Sequence, residues 1–291
     1  MSQRRALHWV FKIGDRAKTI SFYKDVLGMR ILRHEEFDGG CEATCNGPYD
    51  NKWSKTMVGY DHEDTQFVSE LTYNYGIGSY KLGNDLRGIH VQSRVAYDNL
   101  RSGKYPVESE VGNVFKIRDP DGYPFFVRSG DSDAVFKVTI AVTDLKRSLD
   151  YWRTTLGMSV YSQSKERVIL GFASDQCRLE LLPIQEPVVH DTAIGRIAFA
   201  CPWDDQQVIR DRVKLIGGAI MNDLIELPTP GKATVRVLIL IDPDGYEICF
   251  VGDEGYRDLS QIDDQGDELL AQAIADDKSG EWIAKKGQRK Q

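Results

Sequence analysis

Residues 119–127 read DPDGYPFFV, and residues 242–251 read DPDGYEICFV. Asp-Pro-Asp-Gly is a turn with a mechanism, because proline fixes φ and glycine supplies positive φ. An apolar run follows each time, so both stretches read as a strand entered through a tight turn. Working outward, a second echo precedes each. Residues 11–33 (FKIGDRAKTISFYKDVLGMRILR) answer residues 136–161 (FKVTIAVTDLKRSLDYWRTTLGMSVY). Aligning Asp15 with Asp144 sets Phe22-Tyr23 on Tyr151-Trp152 and Leu27-Gly28-Met29 on Leu156-Gly157-Met158. A weaker third echo joins SELTYNYG (69–76) to LELLP (179–183). Such repetition marks two copies of one module. They span 5–130 and 134–255, with a helical C-terminal tail over 256–291.

Each module has the same coarse order. An alternating strand meets an aspartate that caps a helix of about ten residues, and the glycine of Leu-Gly-Met stops it. Strands follow (MVGYDHEDTQFVSELTYN; RVILGFASDQCRLELLP), then another strand (GIHVQSR; GRIAFACP), a helical stretch and the strands that end at DPDGY. Each module therefore holds two strand–helix–strands units, four in all. The fold class is α+β with curved, mainly antiparallel sheets. The tail carries a polar helix (DELLAQAIADD) and is expected to pack on the body without chemistry.

Composition bounds the function. The 291 residues are 41% hydrophobic and 28% charged, enough for two ordinary cores. A net charge of −7 argues against nucleic acid as a partner, since phosphate affinity comes from Lys and Arg. No apolar run approaches the roughly 20 residues that span a bilayer. Five scattered cysteines suit a reducing compartment. Cys41 and Cys45 stand C-x3-C with no second pair to complete a zinc site. The expectation is a cytoplasmic protein with a small-molecule substrate, monomeric or homodimeric, with mitochondrial association left open.

The opening LHWVFKIGDRAKTISFYKDVLGMRILR, the strand ELTYNYG, the loop YKLGN and the closing DPDGY of each module resemble the vicinal oxygen chelate superfamily, and glyoxalase I within it. The match covers nearly all of residues 5–252. The resemblance implies four βαβββ units pairing into cupped mixed sheets, the first unit with the fourth and the second with the third. It implies a divalent metal, zinc or nickel, in a cup, and glutathione as co-substrate. It also implies a ligand carboxylate that moves a proton next to a carbonyl.

Position by position, the resemblance places His8 and Glu70 at the first unit's ligand positions. Lys12 and Asn74 fall where the family holds the γ-glutamyl end of glutathione. In the fourth unit Arg196 and Cys249 take the ligand positions. Arg196 cannot ligate a metal, and it would instead pair with Glu70 or hold a substrate oxygen. Cys249 could coordinate as a thiolate. Lys232, in the loop TPGKAT (229–234), resembles a contact to the glycyl carboxylate of glutathione. The second and third units offer Ile89, Phe126, Lys137 and Glu180, a cup without metal chemistry. Alternation along GIHVQSR (88–94) is expected to turn His90 to the opposite face from Ile89, and Lys137 is expected to pair with Glu180.

Two functions follow from this reading. The first is a glyoxalase-I-like lyase that isomerises the glutathione–methylglyoxal hemithioacetal to S-lactoylglutathione at the cup of units one and four. Glu70 is its base, His8, Glu70 and Cys249 are its metal ligands, and Lys12, Asn74, Arg196 and Lys232 hold substrate. The alternative is a metal-depleted binding protein for a thiol or small anionic ligand. An extradiol dioxygenase is disfavoured, because Lys137, Arg196 and Cys249 occupy positions where it needs His, His and Glu.

Overall fold

The computed structural model describes residues 4–39, 49, 51–228 and 233–288. The first unit comprises β1 (Arg5–Ile13), α1 (Arg16–Ser21), β2 (Arg30–Phe37), β3 (Trp53–Gly59) and β4 (Val68–Asn74). The second comprises β5 (Leu86–Gln92), α2 (Arg94–Arg101), β6 (Ser109–Val111), β7 (Val114–Arg118) and β8 (Pro124–Arg128). The third holds β9 (Ala134–Val142), α3 (Leu145–Asp150), β10 (Ser159–Gln163), β11 (Val168–Gly171) and β12 (Arg178–Pro183). The fourth holds β13 (Arg196–Cys201), α4 (Trp203–Leu215), β14 (Ala219–Pro228), β15 (Thr234–Ile241) and β16 (Glu247–Gly252). Helices α5 (Asp253–Leu259), α6 (Gly266–Asp276) and α7 (Ser279–Gln288) follow.

Two eight-stranded mixed sheets result, in the orders β14-β15-β16-β13-β1-β4-β3-β2 and β10-β11-β12-β9-β5-β8-β7-β6. The first strand of each unit would be an edge if the unit stood alone, and unpaired edges invite pairing. Here β1 closes antiparallel on β13 and β5 on β9, so each sheet joins one unit from either half of the chain.

The capping aspartates work as expected. Asp15 accepts from Lys18 N at 3.1 Å and Asp144 from Arg147 N at 3.0 Å. Both helices then widen by one π-helical turn, Phe22–Val26 and Tyr151–Thr155, before Gly28 and Gly157 turn the chain at φ of 72° and 82°.

The DPDGY turns tie the molecule together. Asp119 Oδ1 accepts from Asp121 N and Tyr123 N at 3.1 and 2.8 Å, and Asp242 Oδ1 does the same for Asp244 N and Tyr246 N. The second aspartate reaches the helix entry of its own module: Asp121 accepts from Gly14 N, and Asp244 from Thr143 N. Tyr123 donates to the Lys12 carbonyl across the two sheets, and Tyr246 to those of Asp85 and Ala141. One continuous apolar core, from Trp9 and Phe11 through Ile89 and Phe125 to Trp152 and Phe250, joins both sheets.

Burial, then the like charge of Asp121, push Asp119 up to about 8. A carboxyl raised in the folded state stabilises fully below its unfolded value near 3.8, and that stability drains away as pH rises toward 8. Asp119→Asn keeps an acceptor for the turn and removes the titration. We expect it to gain roughly 2 kcal/mol on the parent between pH 5 and pH 8, about 5 °C in melting temperature. Parallel melting curves for the two proteins across that range would refute this account.

Candidate active site

The concave face of the first sheet gathers the first unit's expected residues. On β4, Glu70, Thr72 and Asn74 alternate into a cavity of about 560 Å³, which Val10 and Lys12 of β1 also line. Register sets the rows: Glu70 lies beside Val10, Val10 beside Arg196, and Arg196 beside Glu247. His8 sits one step along, in a row with Val68, Ala198 and Cys249. His8 is buried, and its Nε2 stands 3.3 Å from Glu70 Oε2.

Sequence reasoning missed what fixes His8. Its Nδ1 lies 2.6 Å from Glu63 Oε1, in the loop between β3 and β4. Glu63 is fully enclosed, accepts from the Tyr256 hydroxyl at 2.9 Å and pairs with Arg33 at 2.9 Å. Burial opposes its charge, but Arg33 and then His8 hold the Glu63 carboxyl down at about 2. The Glu63 carboxylate accepts from Nδ1, which fixes the ring and turns Nε2 toward Glu70. A shared proton or a bound cation would each join Nε2 to Glu70 across that distance.

Tyr256 belongs to the tail, which packs on the body as expected and in addition hydrogen-bonds the Glu63–His8 pair. Tyr256 and Leu259 pack with Ala198, Ala200 and Val251 on the concave face, and Ile262 with Leu32, Met57 and Val68. Arg16 binds Asp277 at 3.2 Å and Tyr73 donates to it at 2.8 Å. The tail therefore covers His8 from below and leaves open the end where Glu70 meets the cavity. Helical periodicity could not show this, because the contacts come from single residues on short helices.

The fourth unit differs from expectation in two ways. Arg196 turns to Glu247 at 2.5 Å rather than to Glu70. Its neighbour Cys249 is not activated: burial, outweighing nearby Arg196, pushes its thiol up to about 11. Among the described residues no group of three or more His, Cys, Asp or Glu side chains could hold a metal. The expected set of His8, Glu70 and Cys249 is therefore not assembled, and two donors face each other instead. An imidazole oriented by a carboxylate behind it, with a second carboxylate in front, fits a divalent ion whose other positions go to water or substrate. It does not fit a closed protein cage.

Asn74 donates to the Tyr80 hydroxyl at 2.6 Å, and Lys12 reaches the Thr192 carbonyl at 3.4 Å, both at the cavity wall. Lys232, Cys41 and Cys45 lie outside the described residues. Burial is the first cause that raises the thiols of Cys177, Cys201 (to about 12) and Cys249. Thiolate is the reactive form. Iodoacetamide at pH 8 should leave these three unmodified in the folded protein and label them after denaturation, by peptide mass mapping. Rapid labelling of Cys249 in the folded state would contradict the assignment.

The second cup corrects the reading of GIHVQSR. Ile89 points into the core, whereas His90 lines the concave cavity and meets Thr139 Oγ1 at 2.9 Å. Thr139 pairs with Glu180 as Val10 pairs with Glu70, and Gly88 faces Thr139 as Arg196 faces Val10. The position equivalent to Arg196 is thus Gly88, one residue from the expected Ile89. Alternation was applied correctly, but from an alignment one residue out of register. The Phe126 ring fills the space, 2.4 Å from where a Cβ on Gly88 would sit. Lys137 pairs with Glu180 at 2.7 Å, as expected.

Relatives agree with this architecture. A profile for the glyoxalase/bleomycin resistance protein/dioxygenase superfamily matches residues 5–126, and one for the C-terminal domain of glyoxalase domain-containing protein 4-like chains matches 144–259. Glyoxalase domain-containing protein 4 of Rattus norvegicus is 53% identical over 100% of this chain and 99% of its own. Glyoxalase 1 of Caenorhabditis elegans is 47% identical over 96% of this chain and 99% of its own. The crystal structure of a glyoxalase I mutant from Zea mays superposes with a TM-score of 0.75 at 25% identity, covering 89% of this chain and 97% of that one. With full-length relatives at about half identity and the same paired sheets, the chain belongs to the glyoxalase/bleomycin resistance protein/dioxygenase superfamily.

Proposed function

We propose that the protein is a glyoxalase-I-like lyase, converting the hemithioacetal of glutathione and methylglyoxal to S-lactoylglutathione in the first cup. The observation that carries this reading is the facing pair of His8 Nε2 and Glu70 Oε2, of which Glu70 lines a cavity walled by Lys12 and Asn74. The nematode relative named Glyoxalase 1 supports the reaction class.

The chemistry asked of the chain is a proton shift between neighbouring carbons. The Glu70 carboxylate removes the proton from the carbon that bears sulfur and hydroxyl, giving an enediolate. The same proton returns to the neighbouring carbon while the hydroxyl proton passes to the neighbouring oxygen, so the thioester forms with no atom lost and no redox partner needed. Zinc or nickel held by His8 and Glu70 would supply Lewis-acid polarisation of the substrate oxygens. Arg196 gives Nε and Nη2 to Glu247, which leaves Nη1 to meet an oxygen as charge develops there. Lys12 and Asn74 suit the γ-glutamyl end of glutathione, and the charge of Lys232 suits its glycyl carboxylate. The fold closes this cup within one chain, which is consistent with a monomer.

Metal analysis of the purified protein, with thioester formation followed in the presence of zinc, nickel, cobalt or manganese, tests the reading. Metal-dependent turnover is expected. Glutathione binding without turnover under all four metals would sink the lyase and favour a binding protein, a reading to which the Arg196–Glu247 pair in the fourth unit lends weight.

A further inference from the structure

The concave face of the second sheet carries its own cavity, about 490 Å³, which the chemistry of the first cup does not use. Five cations line it: Arg87, Lys116, Arg118, Lys137 and Arg167. Against them stand Asp85 and Glu180 in the lining, and Glu108, which pairs with Lys116 at 2.8 Å and with Arg118. Asp85 is already engaged by His190 at 2.8 Å. Burial works against the Glu180 charge, but hydrogen bonds from Lys137 and Thr139 keep it below the usual carboxylate range. Five positive charges against three negative leave two in excess, within a chain of net charge −7. Exposed Arg87 has no hydrogen-bond or ion-pair partner among the described residues.

The floor is apolar and uncharged. The His90 ring stacks on Phe126 at 4.7 Å and 11°. Burial, then the charge of Lys137, take His90 down to about 3, so it is a neutral aromatic at physiological pH. Leu82 and Leu182 extend this surface. In the first cup, by contrast, Lys12 and Arg196 are balanced by Glu70 and Glu247. Unbalanced charge in a concave, low-dielectric wall focuses the potential on whatever enters, and arginine forks match carboxylate and phosphate oxygens alike.

We propose that the second cup binds a small polyanion, a phosphate monoester or a dicarboxylate, with its oxygens on Arg87, Arg118 and Arg167 and its carbon skeleton on the His90–Phe126 floor. Calorimetric titration of the full-length protein with inorganic phosphate, glycerol 3-phosphate and succinate tests this. Saturable binding of at least one probe is expected, and phosphates alone or succinate alone would identify the source. Arg87→Glu should weaken it about tenfold, the loss of one charge-assisted contact. Arg94→Glu reverses the same charge on the solvent face of α2, 81% exposed, and should leave affinity within about twofold. No saturable binding of any probe, or equal weakening by both variants, overturns the proposal.

Discussion

Replacing Arg33 with methionine is expected to destabilise the protein by about 3–5 kcal/mol, because it strands a fully enclosed carboxylate. Arg33 and Glu63 are 1% and 0% exposed and stand 2.9 Å apart. Taken alone, a buried ion pair is weak evidence of stability, since desolvation offsets much of its attraction. Removing one member is different, because the survivor keeps its desolvation cost and loses its partner. Methionine preserves much of the arginine stem's volume, so packing contributes little to the expected loss.

The charge explanation has two signatures that a packing defect would lack. Adding Glu63→Gln to Arg33→Met should recover part of the loss, because the amide still accepts from Tyr256 while the unpaired charge is gone. The pH dependence should also reverse. In the parent, Glu63 is held at about 2, below its ordinary 4.5. Its stabilisation is present above 4.5 and lost as pH falls toward 2. Without Arg33, burial dominates and raises the carboxyl, so the variant should be least penalised in acid and more so as pH climbs through the carboxylate range. Chemical denaturation at pH 4 and pH 7 reads both signatures. A loss below about 1 kcal/mol, or no recovery in the double variant, would show that the network is not what holds His8.

The repeated DPDGY and Leu-Gly-Met stretches made the fold legible, because turns and caps are local and their residue types are dictated by φ, ψ and unpaired amides. His8, Lys12, Glu70 and Asn74 were legible for a different reason. The family resemblance placed them, on strands that those turns and caps anchor, and the structure brings them to one concave face. Register failed at Gly88, where no side chain marks the strand and a one-residue slip exchanged Ile89 for His90. The Glu63–Arg33–Tyr256 network was invisible for another reason. Its members stand 30 and more residues apart on a loop, a strand and a tail helix, and such contacts have no period. Partner choice failed likewise at Arg196, where Glu247 on the adjacent strand lies in closer register than Glu70 across β1.

Turnover should fall about 10²–10⁴-fold in Glu70→Gln, the usual contribution of a positioned base, and stay near the parent level in Glu180→Gln. The two carboxylates are the fairest pair to compare, since both stand at equivalent positions on the last strand of their units. Their surroundings separate them. Glu70 faces an imidazole nitrogen and an open cavity that Asn74 also lines. Glu180 is held by Lys137 at 2.7 Å, Thr139 at 2.7 Å and Arg167 at 3.3 Å, so both its oxygens are engaged and its charge is paired. Glutamine keeps the size of either side chain and removes only the charge, so a lost proton acceptor should lower kcat more than it raises KM. Metal content supplies an independent reading: with one of two donors neutralised, Glu70→Gln should also retain less bound zinc or nickel, whereas Glu180→Gln should not. Equal losses of activity in both variants would mean that the chemistry is shared or sits in the second cup. A Glu70→Gln protein that turns over normally would remove Glu70 from the reaction, and with it the lyase assignment of the first cup.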